Sequence, residues 1–112
     1  MTNEFHASTP IYLQIAIRVQ QQIAKHEWKP GDQLPSVREM AIQSSENPNA
    51  IQRSYQELER MGVVETRRGQ GTFIVQDFLL PSKMKEELQK EIIDQFINQM
   101  KAIDSSDEEI LA

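Results

Sequence analysis

The sequence contains no cysteine, which excludes a disulfide scaffold, a thiolate metal site and a thiol nucleophile. Its two histidines, His6 and His26, are too few and too far apart to indicate a metal site. No apolar run is long enough to span a membrane, and the N-terminus lacks the basic start and hydrophobic stretch of a secretory signal. We therefore expect no metal and no other cofactor, and the simplest interpretation is a cytoplasmic bacterial protein.

Signs of catalysis are also missing. No nucleophile stands in a convincing pattern with a general base, and the glycines of "RRGQGTF" do not form a phosphate loop because no Gly-Lys-Ser/Thr follows them. The acidic end "DSSDEEI" lacks the spacing of a calcium loop. The sequence does not predict an enzyme.

The net charge of −5 is unevenly distributed along the 112 residues. Residues 1–76 hold eight Lys/Arg and eight Asp/Glu, whereas residues 77–112 hold four lysines and nine Asp/Glu. All the net negative charge is therefore in the C-terminal part, and such an asymmetry suggests different partners for the two parts. We predict a domain over residues 8–76 and a separate C-terminal segment over residues 77–112.

Three helices are predicted in the first part of the chain. Apolar residues recur every four positions from Ile11 to Ile23, and Thr9-Pro10 before them is typical of a helix cap followed by the first helical residue. A second helix is predicted over about residues 36–44, where Ser36 and Glu39 can form a capping box. A third begins at Asn47-Pro48, carries an apolar face, and should stop at Gly62.

The periodicity then becomes strand-like. "VVETR" and "TFIV" are β-prone runs separated by "RGQG", which predicts a two-stranded hairpin with a glycine-assisted turn. A long amphipathic helix is predicted from about Ser82 to Ile103, and a capping box at Ser106 and Glu109 predicts one more helix start. The predicted fold is mainly α with a small β-hairpin.

Three helices followed by a hairpin, with a tight connection between the second and third helices, form the layout of a winged helix-turn-helix. In this fold the third helix enters the DNA major groove and the hairpin, or wing, contacts the backbone or minor groove. Asn49 and Gln52 at the start of the third helix can each make a bidentate contact to adenine. Glycines and cations in the wing suit a close approach to phosphates.

The segments "PIYLQIAIRVQQQIAKHEWKPGDQLPSVREMA" and "NPNAIQRSYQELERMGVVETRRGQGTFIV" resemble the DNA-binding domain of GntR-type transcriptional regulators. The resemblance covers Pro10 to Val75, about two thirds of the chain, and "KPGDQLPSVRE" and "ETRRGQGTF" are its most specific parts. The short helical tail is similar to the YtrA-type subgroup, whose members dimerise through C-terminal helices. The resemblance implies repression of an operon, often one for an ABC transporter, by a homodimer bound to an inverted repeat of double-stranded DNA.

The resemblance also implies which residues meet the DNA. From the second helix these are Ser36 and Arg38. From the recognition helix they are Asn47, Asn49, Gln52 and Arg53, and from the wing Arg68, Gly69 and Gln70.

The chain departs from the family pattern at two helix ends. At Ser44, Ser45 and Glu46 the family usually has a hydrophobic residue, a glycine and a hydrophobic residue, so we expect Glu46 to face solvent or to pair with a cation. A glycine is also usual at His26, and histidine adopts the left-handed conformation less readily.

Several interpretations compete with these. Arg53 could instead pair with Glu57, while Glu57 could pair with Arg60. Alternation along the strand lets only one of Arg67 and Arg68 face the DNA, and Arg68 is nearer the tip.

The predicted C-terminal helix leaves alternatives open as well. Its apolar positions are predicted either to form a dimer face or to pack on their own domain. Binding of a small-molecule effector in the dimer seam is a further alternative. The whole chain could also be a winged-helix protein-interaction module without specific DNA binding. The dimer-face residues are Leu88, Ile92, Phe96 and Met100.

Overall fold

The computed structural model describes residues 9–104. Within that range five elements follow the predicted order before the C-terminal helix: α1 (Ile11–Ala24), α2 (Val37–Ser44), α3 (Pro48–Arg60), β1 (Val64–Arg67) and β2 (Gly71–Ile74). The sixth, α4 (Leu80–Ile103), ends the described part. The predicted mainly α fold with one hairpin is confirmed. The helix start predicted at Ser106 and Glu109 lies outside the described residues.

The three N-terminal helices and the hairpin share one hydrophobic core. Ile23, Ile51, Leu58 and Ile74 are completely buried, so every one of these elements except α2 contributes at least one fully enclosed side chain. Helix α2 adds Ala41, which is also buried. Burying a large aliphatic side chain contributes roughly 1.5–3 kcal/mol, which is how short helices and a two-stranded hairpin are held together.

The start of α1 corrects one prediction. Pro10 is the cap residue, with extended backbone (ψ 147), and no side chain caps the helix, so Thr9 is not the N-cap. The carbonyl of Pro10 accepts from the amides of Leu13 and Gln14, and the Gln14 side chain donates to the carbonyl of Thr9. The Gln14 side chain therefore holds Thr9, the residue that was predicted to be the N-cap.

Helix α1 ends at Ala24, and the loop that leads to α2 follows. Lys25 is the C-cap, and His26 has a left-handed backbone with φ 64. The amide of His26 donates to Ile23 and that of Glu27 to Gln22, so the helix closes as it would at a glycine. The position predicted to favour glycine is indeed left-handed.

The hairpin pairs in a simple antiparallel register. Val64 lies opposite Ile74, Glu65 opposite Phe73, and Arg67 opposite Gly71. The loop before α2 runs beside β2 and meets it at a single antiparallel bridge between Gln33 and Phe73. The amide of Leu34 donates to Thr72 and that of Ile74 to Asp32, at 2.9 and 2.7 Å.

Helix α4 begins two residues before the predicted Ser82. The Asp77 side chain accepts from the Lys83 ammonium at 2.7 Å and from the Leu79 amide at 2.9 Å, so it stabilises the turn that leads into the helix, whose N-cap, Leu79, makes no side-chain cap. These two hydrogen bonds hold the pKa of the Asp77 carboxyl below its usual range. Leu80 and Met84 pack into the core, and the Gln20 amide contacts the Met84 sulfur at 3.8 Å.

Candidate nucleic-acid interface

Helix α2 starts with the predicted capping box. The Ser36 hydroxyl accepts from the Glu39 amide at 3.1 Å, and the Glu39 carboxylate accepts from the Ser36 amide at 2.9 Å. Glu39 is thereby directed back towards the cap, while Arg38 beside it is exposed. Arg38 forms no ion pair with any residue between 9 and 104, so its charge is available at the surface.

The turn between α2 and α3 keeps the geometry that a glycine would give. Ser45 is left-handed (φ 55), and the Glu46 amide donates to the Ala41 carbonyl at 3.0 Å. The Ser44 hydroxyl donates to the Met40 carbonyl at 2.6 Å, so this polar side chain is satisfied within α2. A serine therefore replaces each of the two family residues without opening the turn.

Glu46 in the same turn is half-buried. It pairs with no cation among the described residues, and no buried side-chain oxygen in that range lacks a hydrogen-bond partner. Its carboxylate is therefore hydrated at the surface, which is the first of the two outcomes expected for it.

Helix α3 presents polar side chains at its start and anchors itself at its middle. The Asn47 side chain caps the helix by accepting from the Asn49 amide at 2.7 Å. Asn49 and Gln52 are exposed on the first two turns. The Tyr55 hydroxyl donates to the Pro35 carbonyl at 2.8 Å, and burial raises the pKa of this phenol, so it stays a neutral donor. This bond fixes α3 against the start of α2.

Arg53 forms no ion pair with Glu57, and its DNA contact stays a prediction. Its guanidinium stacks on the Tyr12 ring of α1, 3.9 Å from the ring centroid. Glu57 pairs with Arg60, as predicted, and this hydrogen-bonded arginine lowers the pKa of the Glu57 carboxyl. An exposed stack of this kind contributes about 0.5–1 kcal/mol and holds Arg53 towards α1.

The two wing arginines differ in their surroundings. Arg67 donates to Glu65 at 2.9 Å, and its guanidinium lies over the Phe73 ring, 4.1 Å from the centroid. Arg68 is exposed in the turn, without an ion pair to any residue of the described range. Gly69 adopts a positive φ of 76, as a tight turn requires. Of the two arginines, Arg68 is the one at the tip with a free charge.

A cleft between the wing and α2 brings together part of the predicted set. All nine predicted DNA-contact residues are exposed. Four of them line this cleft: Ser36, Arg68, Gly69 and Gln70. The other five lie outside it, on the exposed surfaces of α2 and α3: Arg38, Asn47, Asn49, Gln52 and Arg53.

Sequence reasoning missed Gln33, which also lines the cleft. Its side-chain amide donates to the Gln70 carbonyl at 2.8 Å, joining the loop before α2 to the wing tip. The signal in the sequence was weak: a turn at Pro30-Gly31 followed by too few residues to be recognised as a strand.

The candidate dimer face on α4 is largely uncovered in the single chain. Ile92 is 65% exposed and Phe96 59% exposed, whereas Leu88 and Met100 are half-buried. Ile92 and Phe96 therefore do not pack on their own domain. Among residues 9–104 there is neither a helix able to cross a membrane nor a group of three side chains suited to a metal ion.

The fold and the exposed polar set on α2, α3 and the wing define a winged helix-turn-helix protein of the DNA-binding class. Residues 11–74 match the family described as "Bacterial regulatory proteins, gntR family". The chain belongs to this family.

Two curated relatives from Bacillus subtilis match most of the chain. "Uncharacterized HTH-type transcriptional regulator YhcF" is 51% identical over 111 residues, covering 99% of this chain and 92% of the relative. "HTH-type transcriptional repressor YtrA" is 47% identical over 94 residues, covering 79% of this chain and 72% of the relative. The resemblance to YtrA-like regulators is thus confirmed.

Solved structures agree with the architecture, including the C-terminal helix. A GntR family transcriptional regulator from Listeria monocytogenes superposes with a TM-score of 0.76 at 34% identity, covering 93% of this chain and 91% of that one. YtrA from Sulfolobus acidocaldarius superposes with a TM-score of 0.61 at 30% identity, covering 81% and 89%. The chain is a DNA-binding transcriptional regulator of the GntR family.

Proposed function

We propose that the protein is a homodimeric repressor that binds an inverted-repeat operator through α2, α3 and the wing. The observation that carries this proposal is the state of Arg38 and Arg68. Both are exposed and have no acidic partner within the described residues, whereas Arg60 on α3 and Arg67 on β1 are paired with glutamates. Two uncommitted cations on α2 and on the wing tip are suited to phosphates or guanines.

The exposed start of α3 supplies the sequence-reading side chains. Asn49 and Gln52 carry amides that can make bidentate contacts to adenine in the major groove. Asn47 uses its oxygen for the cap and keeps its NH₂ group for DNA. Since the Tyr55 hydrogen bond fixes α3 on α2, the amides on α3 and the guanidinium on α2 would approach the duplex as one rigid unit.

The uncovered face of α4 supports the dimer. Ile92 and Phe96 expose most of their apolar surface, which costs free energy unless a second copy covers it. Two copies related by a two-fold axis would place their α3 helices in half-sites about one helical turn apart. We thus assign residues 8–76 to DNA binding and residues 77–112 to dimerisation. Repression is proposed because the YtrA relative from Bacillus subtilis is a transcriptional repressor by name.

DNA binding is tested with Arg38→Ala on a duplex selected from random sequence. Arg18→Ala is the matched control, because it removes the same charge from an exposed position on α1. We expect Arg38→Ala to weaken binding by about 1–3 kcal/mol if Arg38 reads a base, with the control unchanged. Wild-type binding should weaken steeply with salt, since several phosphates are contacted. Equal binding by the two variants would contradict the role of Arg38, and a salt-independent complex would favour a protein-interaction module.

Dimerisation is tested with Phe96→Glu by sedimentation. Gln95→Glu is the control, because it adds the same charge on the neighbouring exposed position of α4. We expect Phe96→Glu to shift the protein to monomer, since a buried carboxylate is strongly disfavoured in an apolar seam, while Gln95→Glu remains dimeric. A wild-type protein that sediments as a monomer at every concentration would contradict the proposal.

A further inference from the structure

We propose that Gln33 is the positioning residue that fixes the tip of the wing for DNA contact, an inference that rests on the function proposed above. Its side-chain amide donates to the backbone carbonyl of Gln70, the last residue of the turn, over a donor–acceptor distance of 2.8 Å. This bond joins two segments that are 37 residues apart in the sequence. Through this hydrogen bond the loop before α2 contacts the turn of the hairpin.

The backbone around Gln33 is held in place on both sides, so its side chain is presented from a rigid base. The Ile74 amide donates to the Asp32 carbonyl and the Leu34 amide to the Thr72 carbonyl. Gln33 itself bridges to Phe73. These bonds fix the backbone of Gln33 relative to β2, so forming the side-chain bond to Gln70 requires ordering of the Gln33 side chain alone.

The turn is shaped to receive this side chain. Gly71 has a φ of 119, and a Cβ at this position would lie only 2.6 Å from the Gln33 amide nitrogen. Only glycine therefore leaves room for the Gln33 side chain against the turn. Within the turn itself, the Gln70 amide donates back to the Arg67 carbonyl at 2.8 Å, so Gln70 is held through both its amide and its carbonyl.

The position of Gln33 in the chain gives this bond a functional consequence. Ser36, the cap of α2, follows three residues later, and Arg38 follows two residues after that. The same short segment therefore contacts both parts of the interface. At one end it leads into α2, and at the other the Gln33 side chain bonds to the turn that carries Arg68. Gln33 thereby sets the spacing between the two cations assigned to DNA.

The experiment compares Gln33→Met with Gln43→Met. Methionine has nearly the length of glutamine but donates no hydrogen bond, and neither substitution changes the charge. Gln43 lines the same cleft, is exposed, and makes no side-chain hydrogen bond to a residue of the 9–104 range, which makes it the matched control. Amide order parameters measured by NMR on the DNA-free dimer should fall over residues 68–71 in Gln33→Met alone. Unchanged order parameters there would overturn the proposal.

DNA binding gives the second readout. Gln33→Met should weaken binding to the selected duplex about threefold to tenfold, since one charged contact is lost. The slope of log affinity against log salt should fall by about 0.9, although no charge was removed, because a misplaced Arg68 no longer meets its phosphate. Adding Arg68→Ala to Gln33→Met should cause no further loss, whereas additive losses would overturn the proposal. A wild-type protein that binds no duplex would refute the proposed function, and the order parameters would still decide the role of Gln33.

Discussion

Replacing Ser45 by glycine should stabilise the protein without changing its affinity for DNA. Ser45 already has φ 55 and ψ 39 at the end of α2, a conformation that costs a residue with a Cβ about 1–2 kcal/mol. Glycine removes this cost but gains freedom in the unfolded chain, which returns roughly 0.4–1 kcal/mol. The Ser45 side chain makes no hydrogen bond to another described residue, so the substitution removes no hydrogen bond. The expected net gain is about 0.5–1 kcal/mol.

Urea-induced and thermal unfolding measure this gain at one fixed protein concentration, since the stability of the proposed dimer would depend on concentration. For a domain of this size the melting temperature should rise by roughly 3–6 °C. Ser44→Gly is the control: it places glycine inside α2 and removes the hydrogen bond from the Ser44 hydroxyl to the Met40 carbonyl, so it should destabilise by about 0.5–1 kcal/mol. A Ser45→Gly variant that is less stable than wild type would refute the argument from backbone strain. Weaker DNA binding would show that the turn is remodelled by the substitution.

Three further substitutions test the framework around the interface. His26→Gly should likewise stabilise by about 0.5–1 kcal/mol in urea unfolding, because His26 is left-handed with φ 64; a loss of stability would contradict this. Tyr55→Phe should destabilise by about 1 kcal/mol, because the Pro35 carbonyl loses its 2.8 Å hydrogen bond; unchanged stability would show that this bond does not hold α3. The lowered pKa of Asp77 makes the stabilisation from its hydrogen bonds to Lys83 and Leu79 fully present above about pH 4 and lost as the pH falls through the lower folded value. Asp77→Asn, which also loses the Lys83 ion pair, should therefore flatten the acid side of the stability profile; an unaltered profile would refute the linkage.

The elements whose limits carry strong local signals were predictable from the sequence. The box of Ser36 and Glu39 and the cap at Asn47 specify helix starts within one residue, because each satisfies free amides by a bond between near neighbours. The hairpin was equally clear, since its glycines occupy positions of positive φ. At Pro10 the same reasoning failed, because the adjacent Thr9 was not needed as a cap.

The parts that depend on contacts between distant residues were not predictable. Gln33 reaches Gln70 across 37 residues, and no local pattern announces such a pair. Arg53 illustrates the same limit: its spacing suggested a partner on α3, but the Tyr12 ring of α1 provides the contact. The turn before α4 is a further example, because the hydrogen bond between Asp77 and the Lys83 ammonium could be recognised only once the fold had placed Lys83 beside it.

We propose that two copies of this chain read DNA through α3 and the wing. Selection of bound duplexes from a random pool by the wild-type protein tests this proposal. We predict enrichment of an inverted repeat whose half-sites are centred about one helical turn, roughly 10 base pairs, apart. Enrichment of no sequence, or of a single site without two-fold symmetry, would contradict the claim.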